Sequence, residues 1–266
     1  MARPANRYVQ IMEKLFLQKY RRGLREVPFD RSDISRVAQE LAVVLPKNLG
    51  DVLYSFRYRV NLPELVRCTA PSGYQWMIRP AGRSRYKFVL ATQTVITPSG
   101  TLVETKIPDA TPGAIAMYCL TDEQALLARI RYNRLLDIFT GLACYSLQSH
   151  LRTSVPSMGQ VETDEVYVGI DKRGAHYVLP VQAKDVAGRI GVVQIEQDVE
   201  VCAVKFPVLI CRPIAAQLMG GDLIALFELE KTGQGIRVSS EKHYRLVPPD
   251  QLSMEELASY RKRPLT

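Results

Sequence analysis

Between residues 161 and 184 the chain reads VETDEVYVGIDKRGAHYVLPVQAK, a pattern that predicts a β-hairpin. Residues 161–170 alternate and are rich in β-branched side chains. Asp171-Lys172-Arg173-Gly174 supplies turn residues, and residues 175–181 return as a second strand. In an antiparallel pair with a short loop, one register sets Asp164 opposite Gln182 and Glu162 opposite Lys184. Side chains alternate with period two, so all four project from one face. Two acids, an amide and an ammonium on one strand end are costly to gather unless a metal ion or substrate binds there. Carboxylate and carbonyl oxygens suit Mg²⁺, and a lysine beside them can position or activate a water. The same alternation also suits a solvated hairpin whose charges serve no chemistry.

This arrangement resembles the PD-(D/E)XK nuclease superfamily, in which an acid on one core strand and a (D/E)xK on the next form the site. The acid here is Asp164, and the second element reads Gln182-Ala183-Lys184. Glutamine departs from the commonest pattern, although QxK is a variant among restriction enzymes related to the Mrr type. Gln182 brings an oxygen without a charge, which leaves the number of metal ions open. The resemblance implies that Asp164, Gln182 and the Ala183 carbonyl hold Mg²⁺ (or Mn²⁺), and that Lys184 orients or deprotonates the attacking water. Glu162 becomes a second metal ligand or an orienting acid. Glu165 points to the opposite face of its strand and is not expected to be a ligand.

With 266 residues and 47% hydrophobic content, the chain suits one large or two modest globular domains. No apolar run approaches the roughly 18 residues that cross a membrane. The N-terminal MARPANRYVQ lacks a signal-peptide core, so a cytoplasmic protein with no membrane partner is expected. Cys68, Cys119, Cys144, Cys202 and Cys211 are scattered, form no CxxC and do not approach the three histidines at zinc spacing. Free thiols in a reducing compartment follow. Charge is unevenly spread: residues 1–95 hold 17 Lys+Arg against 7 Asp+Glu, and residues 96–266 hold 18 against 20. A basic half joined to a slightly acidic one is the distribution of a DNA-binding module attached to a metal-using module.

In the basic half, Tyr8, Ile11, Met12, Leu15 and Phe16 form a helical stripe within residues 7–20. An extended piece at 26–29 precedes a second helix over 33–44, with Ile34, Val37, Leu41 and Val44 facing inward and Ser32 or Asp30 capping it. A third helix over 48–58 buries Leu49, Val52, Leu53 and Phe56, and two strands flank a turn at Gly82. This order resembles a winged-helix domain, whose third helix enters the major groove while the wing tracks the backbone. By position, the resemblance makes Lys47, Asn48, Ser55 and Arg57 recognition-helix candidates, and Arg79, Arg83, Arg85 and Lys87 wing candidates. Trp76 is expected in the hairpin core.

Residues 96–120, rich in Thr, Pro and Gly, read as a linker. From Thr121, whose TDEQ can cap a helix, apolar residues keep helical spacing to about Leu151. Asp137 within that stretch reads as a surface charge. Residues 188–204 suit a helix or a strand, residues 206–211 a buried strand, and 223–229 and 235–247 two further strands; a short helix with a basic end closes the chain.

The expected class is α+β / α/β. A winged-helix DNA-binding domain (1–95) and a linker (96–120) precede a PD-(D/E)XK nuclease core of mixed β-sheet flanked by helices (121–250) and a C-terminal tail (251–266). The implied function is metal-dependent cleavage of double-stranded DNA by a homodimeric type II restriction enzyme. The overall organisation is also similar to BisI-like enzymes, which cut DNA carrying 5-methylcytosine. The alternative is a winged-helix DNA-binding regulator whose C-terminal domain performs no chemistry.

Overall fold

The computed structural model describes residues 7–118, 122–156, 158–233 and 235–263; Cys119 and Thr121 lie outside them. The chain is a mixed α+β protein that divides into two compact units. The first joins Met1–Ile96 to Arg152–Glu162 and Gly191–Val204, and the second comprises Thr97–Leu151, Thr163–Ile190 and Lys205–Thr266.

Elements run in the order α1 (Arg7–Lys19), β1 (Glu26–Asp30), α2 (Arg31–Glu40), α3 (Gly50–Tyr58), α4 (Glu64–Arg67), β2 (Gln75–Pro80), β3 (Arg85–Ala91) and β4 (Val95–Ile96). Next come β5 (Glu104–Pro108), α5 (Gly113–Tyr118), α6 (Glu123–Tyr132), α7 (Leu135–Thr140), β6 (Ala143–Val155), β7 (Gly159–Ile170) and β8 (His176–Lys184). The chain then forms β9 (Ile190–Gly191), α8 (Val192–Lys205), β10 (Ile210–Cys211), β11 (Ile214–Gly220), β12 (Leu223–Thr232), β13 (Gly235–Val247) and α9 (Met254–Tyr260).

In the first unit, three antiparallel strands take the order β1-β3-β2, and the apolar stripes of α1, α2 and α3 share one core with them. Phe16 lies edge-on to Trp76 and Phe88, with ring centroids 5.1 and 5.0 Å apart. Burying one such ring is worth about 1.5–3 kcal/mol. Trp76 keeps its indole satisfied by donating to Thr69 Oγ1 at 2.8 Å. The second helix ends at Glu40, four residues earlier than its apolar spacing predicts. Ala42 takes φ 52°, with its N–H on Gln39 and the Val43 N–H on Ala38, a left-handed cap that closes α2. Val44 is therefore 76% exposed rather than inward.

The second unit is built on a mixed sheet in the order β5-β13-β12-β11-β8-β7-β6, with β10 beside β8. Its core gathers Leu126, Leu127 and Ile130 of α6 with Leu179, Val181, Ile214, Ala216 and Leu226 of the sheet. Three expectations are corrected here. Residues 96–120 are not simply a linker, because β5 runs parallel to β13 from Glu104↔His243 to Pro108↔Val247. Helical structure does not continue to Leu151: Gly141 at φ 70° closes α7 with its N–H on Asp137, and the Asp137 carboxylate accepts the Cys144 N–H at 2.9 Å as β6 begins. Leu147, the last residue of that helical spacing, is more than half exposed on this edge strand. Residues 206–211 are not a buried strand; Val208 is 90% exposed, and only Ile210–Cys211 pairs with β8. The sequence left residues 188–204 open between helix and strand; after the short strand β9 most of them form α8.

Candidate active site

Strands β7 and β8 form the hairpin that the alternation predicts, paired from Ile170↔His176 to Glu165↔Val181. Asp171 locks the turn: its Oδ1 accepts the N–H groups of Ala175 at 2.9 Å and Arg173 at 2.8 Å, and its Oδ2 takes the Arg173 guanidinium. The Ala175 N–H first, and then Arg173 and Tyr177, hold this carboxyl at about 2, below its ordinary 3.8. A carboxyl depressed in the folded state stabilises it above the unfolded value, and that contribution disappears as pH falls through the folded one. Asp171→Asn should therefore be less stable than the parent at pH 7, with the gap closing as pH drops from about 4 towards 2. Urea unfolding across that range is the check, and a gap independent of pH would contradict it.

Continued beyond Glu165, the same register sets Asp164 against Gln182. There the side chain takes over from the ladder. Asp164 Oδ2 accepts the Ala183 N–H at 2.8 Å, and the Lys184 ammonium donates to the Ala183 carbonyl at 2.8 Å while lying 3.6 Å from the same Asp164 oxygen. Both side chains are mostly shielded, 19% and 14% exposed, and Gln182 is buried. Asp164, the Ala183 carbonyl and Lys184 thus meet at one strand end. Glu162 does not join them; it is exposed and pairs with Arg152 at 3.1 Å. Glu165 faces the other way, fully buried, where Oε1 accepts from Arg131 of α6 at 2.7 Å and from Ser146 of β6 at 2.5 Å.

Comparison with protein-family models, curated proteins and solved structures finds no match to this chain. Among the described residues, no group of three or more His, Cys, Asp or Glu side chains could hold a metal ion. What Asp164, Gln182 and the Ala183 carbonyl offer is one carboxylate and two neutral oxygen donors. Mg²⁺ keeps several waters and takes one or two carboxylates, so this small all-oxygen set fits a hard cation in kind.

Reasoning from sequence missed Gln217 of β11, which lies beside Lys184 in a parallel ladder. Its Nε2 donates to the carbonyls of Gly188 at 2.9 Å and Asp185 at 3.4 Å. One signal was available: Gln217 is the single polar side chain in IAAQLMG.

The first unit disperses the predicted DNA contacts. Lys47, Arg83 and Arg85 are exposed. Asn48 is exposed and uses its side-chain oxygen to cap the Gly50 N–H at 3.0 Å, while Ser55 is half-buried. Two wing candidates are already paired, Arg79 with Glu196 of α8 and Lys87 with Glu26 at 2.8 Å. Arg57 stacks over the Tyr58 ring at 4.7 Å, and its Nε and one Nη are buried without a hydrogen-bond partner. Tyr58 in turn donates to Gln197 of α8 at 2.6 Å. The end of α3 is thereby packed against α8. Outward lie Tyr54 and the Arg59 guanidinium, 5.0 Å over its ring.

Proposed function

We propose that this chain is a metal-dependent endonuclease of double-stranded DNA, of the PD-(D/E)XK kind in its second unit and with a winged-helix binding module in its first. The observation that carries the reading is the convergence of Asp164, the Ala183 carbonyl and Lys184. Two topological features support it. A helical segment and three consecutive strands precede β11, which runs parallel to β8, the third of those strands. The order α1-β1-α2-α3-α4-β2-β3, with its β1-β3-β2 sheet, supports the winged-helix reading, the short α4 being an addition to it.

In this reading Asp164, with Gln182 and the Ala183 carbonyl, would hold Mg²⁺ or Mn²⁺. The bound ion would supply Lewis acidity at the phosphate and lower the pKa of a water. Lys184 steers that water and offers positive charge to the oxyanion that develops on phosphorus. Asp164 also fixes the strand end by accepting the Ala183 N–H. The reading includes a homodimer with one site per DNA strand. A 5-methylcytosine requirement belongs to it too, with apolar contact from Tyr54 beside Arg59. One methyl contributes only about 0.8 kcal/mol, so useful discrimination needs several modified bases per site.

No helix among the described residues is long and apolar enough to cross a membrane. Among the described residues, the cysteines form no disulfide.

The test combines cutting and binding. Plasmid DNA should be cleaved with Mg²⁺ or Mn²⁺ and left intact with EDTA. With EDTA present, duplex affinity should fall steeply with salt, and removing both Arg83 and Arg85 should flatten the log–log slope by about 2, roughly 1 per lost phosphate contact. The whole chain is used because α8 completes the first unit. Binding without cutting in either metal would support the regulator instead.

A further inference from the structure

The turn that follows β8 folds back onto Lys184. Asp185 closes it, its Oδ1 accepting the N–H groups of Ala187 at 3.1 Å and Gly188 at 2.6 Å. The Gln217 amide then clamps it from the neighbouring strand through the Asp185 and Gly188 carbonyls. Gly188 is the point of closest approach. A Cβ at this position would stand 2.9 Å from Lys184 Cβ, 3.1 Å from Lys184 Cδ and 3.0 Å from Asp185 Oδ1. Its φ lies outside the left-handed region, so glycine is required for space and not for backbone conformation. Cβ is the fixed root of the lysine side chain, and it cannot swing aside as the far end could.

We infer that Gly188 and Gln217 are positioning residues for Lys184: the clamped turn is a backstop that holds the lysine stem so that its ammonium stays on the Ala183 carbonyl beside Asp164. A lysine carries several rotatable bonds and a strongly hydrated head, and left free it samples many placements. Here the stem is confined by Gly188 on one side, and Nζ is drawn to the Ala183 oxygen and Asp164 on the other. Gln217 acts at one remove, because its two N–H donors bond backbone carbonyls of the turn. Glutamate at 217 has the same shape but no donor, and its charge repels those carbonyls.

The catalytic consequence rests on the endonuclease reading, whereas the placement of Lys184 does not, and the experiment separates the two. Gly188→Ala, Gln217→Ala and Gln217→Glu are made in the whole chain. Circular dichroism identifies the variants that fold. Each is exposed to limiting acetic anhydride, and mass spectrometry follows acetylation of Lys184 relative to exposed Lys172 in the same molecule. The parent should label Lys184 far more slowly than Lys172, and the folded variants should raise that ratio several-fold. In the cleavage assay kcat should fall about a hundredfold, the cost of misplacing a reacting group by about 1 Å, with KM for duplex unchanged and the pH–rate profile shifted. A labelling ratio that stays at the parent value in the folded Gln217 variants overturns the inference. A parent that labels as expected yet never cuts DNA rejects the nuclease reading and leaves the positioning intact.

Discussion

Asp164→Asn should abolish cleavage, lowering the single-turnover rate by about 10³-fold or more while leaving duplex binding in place. Asparagine keeps the shape and an oxygen that can still accept the Ala183 N–H, so the junction of β7 and β8 persists. What is lost is the charge. The remaining donors, Gln182 and the Ala183 carbonyl, are neutral, and a hard divalent cation held by neutral oxygens alone is bound weakly. Affinity for duplex should stay level or rise slightly, since one negative charge near the phosphates is gone. Lys184→Met should give a loss of the same kind for a different reason, removing the positive group beside the nucleophile without touching the oxygen donors. Time courses with Mg²⁺ and Mn²⁺, paired with binding in EDTA at fixed salt, provide the check. Parental cutting by the asparagine variant would remove this hairpin from the chemistry.

Arg131→Met should destabilise the second unit by about 3 kcal/mol, the low end of what breaking a buried ion pair costs. Glu165 is fully buried, and Arg131 and Ser146 are the groups that donate to its Oε1. Removing the guanidinium leaves a carboxylate in the interior with only a hydroxyl donor. The Arg131 side chain is 42% exposed, so water screens its side of the pair, which is why the upper end is not expected. Adding Glu165→Gln should recover part of the loss, because the neutral amide no longer needs a counter-ion. Urea unfolding of the parent, both single variants and the double variant closes the cycle. A loss below about 0.5 kcal/mol for Arg131→Met, the usual size for an unremarkable surface change, would show that the pair does not hold β7 to α6. The pair matters to the site through alternation. Consecutive side chains on a strand face opposite ways, so anchoring Glu165 inward sets Asp164 outward.

The 161–184 hairpin was legible because two local signals agree: β-branched alternation dictates two strands, and Asp171 and Gly174 dictate where they turn. With the turn known, the register of Asp164 against Gln182 follows by counting. The stripe of Ile11, Met12, Leu15 and Phe16 was legible in the same way, since one buried helical face leaves its period in the sequence. Signals that depend on a distant partner were not legible. Leu147 reads as helix because nothing local announces an edge strand; that state depends on β7 pairing beside it. The Pro- and Gly-rich stretch around β5 reads as a linker because its partner strand, β13, lies about 140 residues away in the chain. Glu162 and Asp164 share one strand face in the sequence reading, and tertiary structure separates them by giving Arg152 to one and the Ala183 N–H to the other. Arg79 reads as a free wing cation until α8 brings Glu196 to it. Residue types and their periods determined the strands, the helical faces and the chemistry available. Which of those charges stay free, and what holds Lys184 in place, was decided by contacts between segments far apart in sequence, because a single chain position carries no record of the neighbour that will neutralise or confine it.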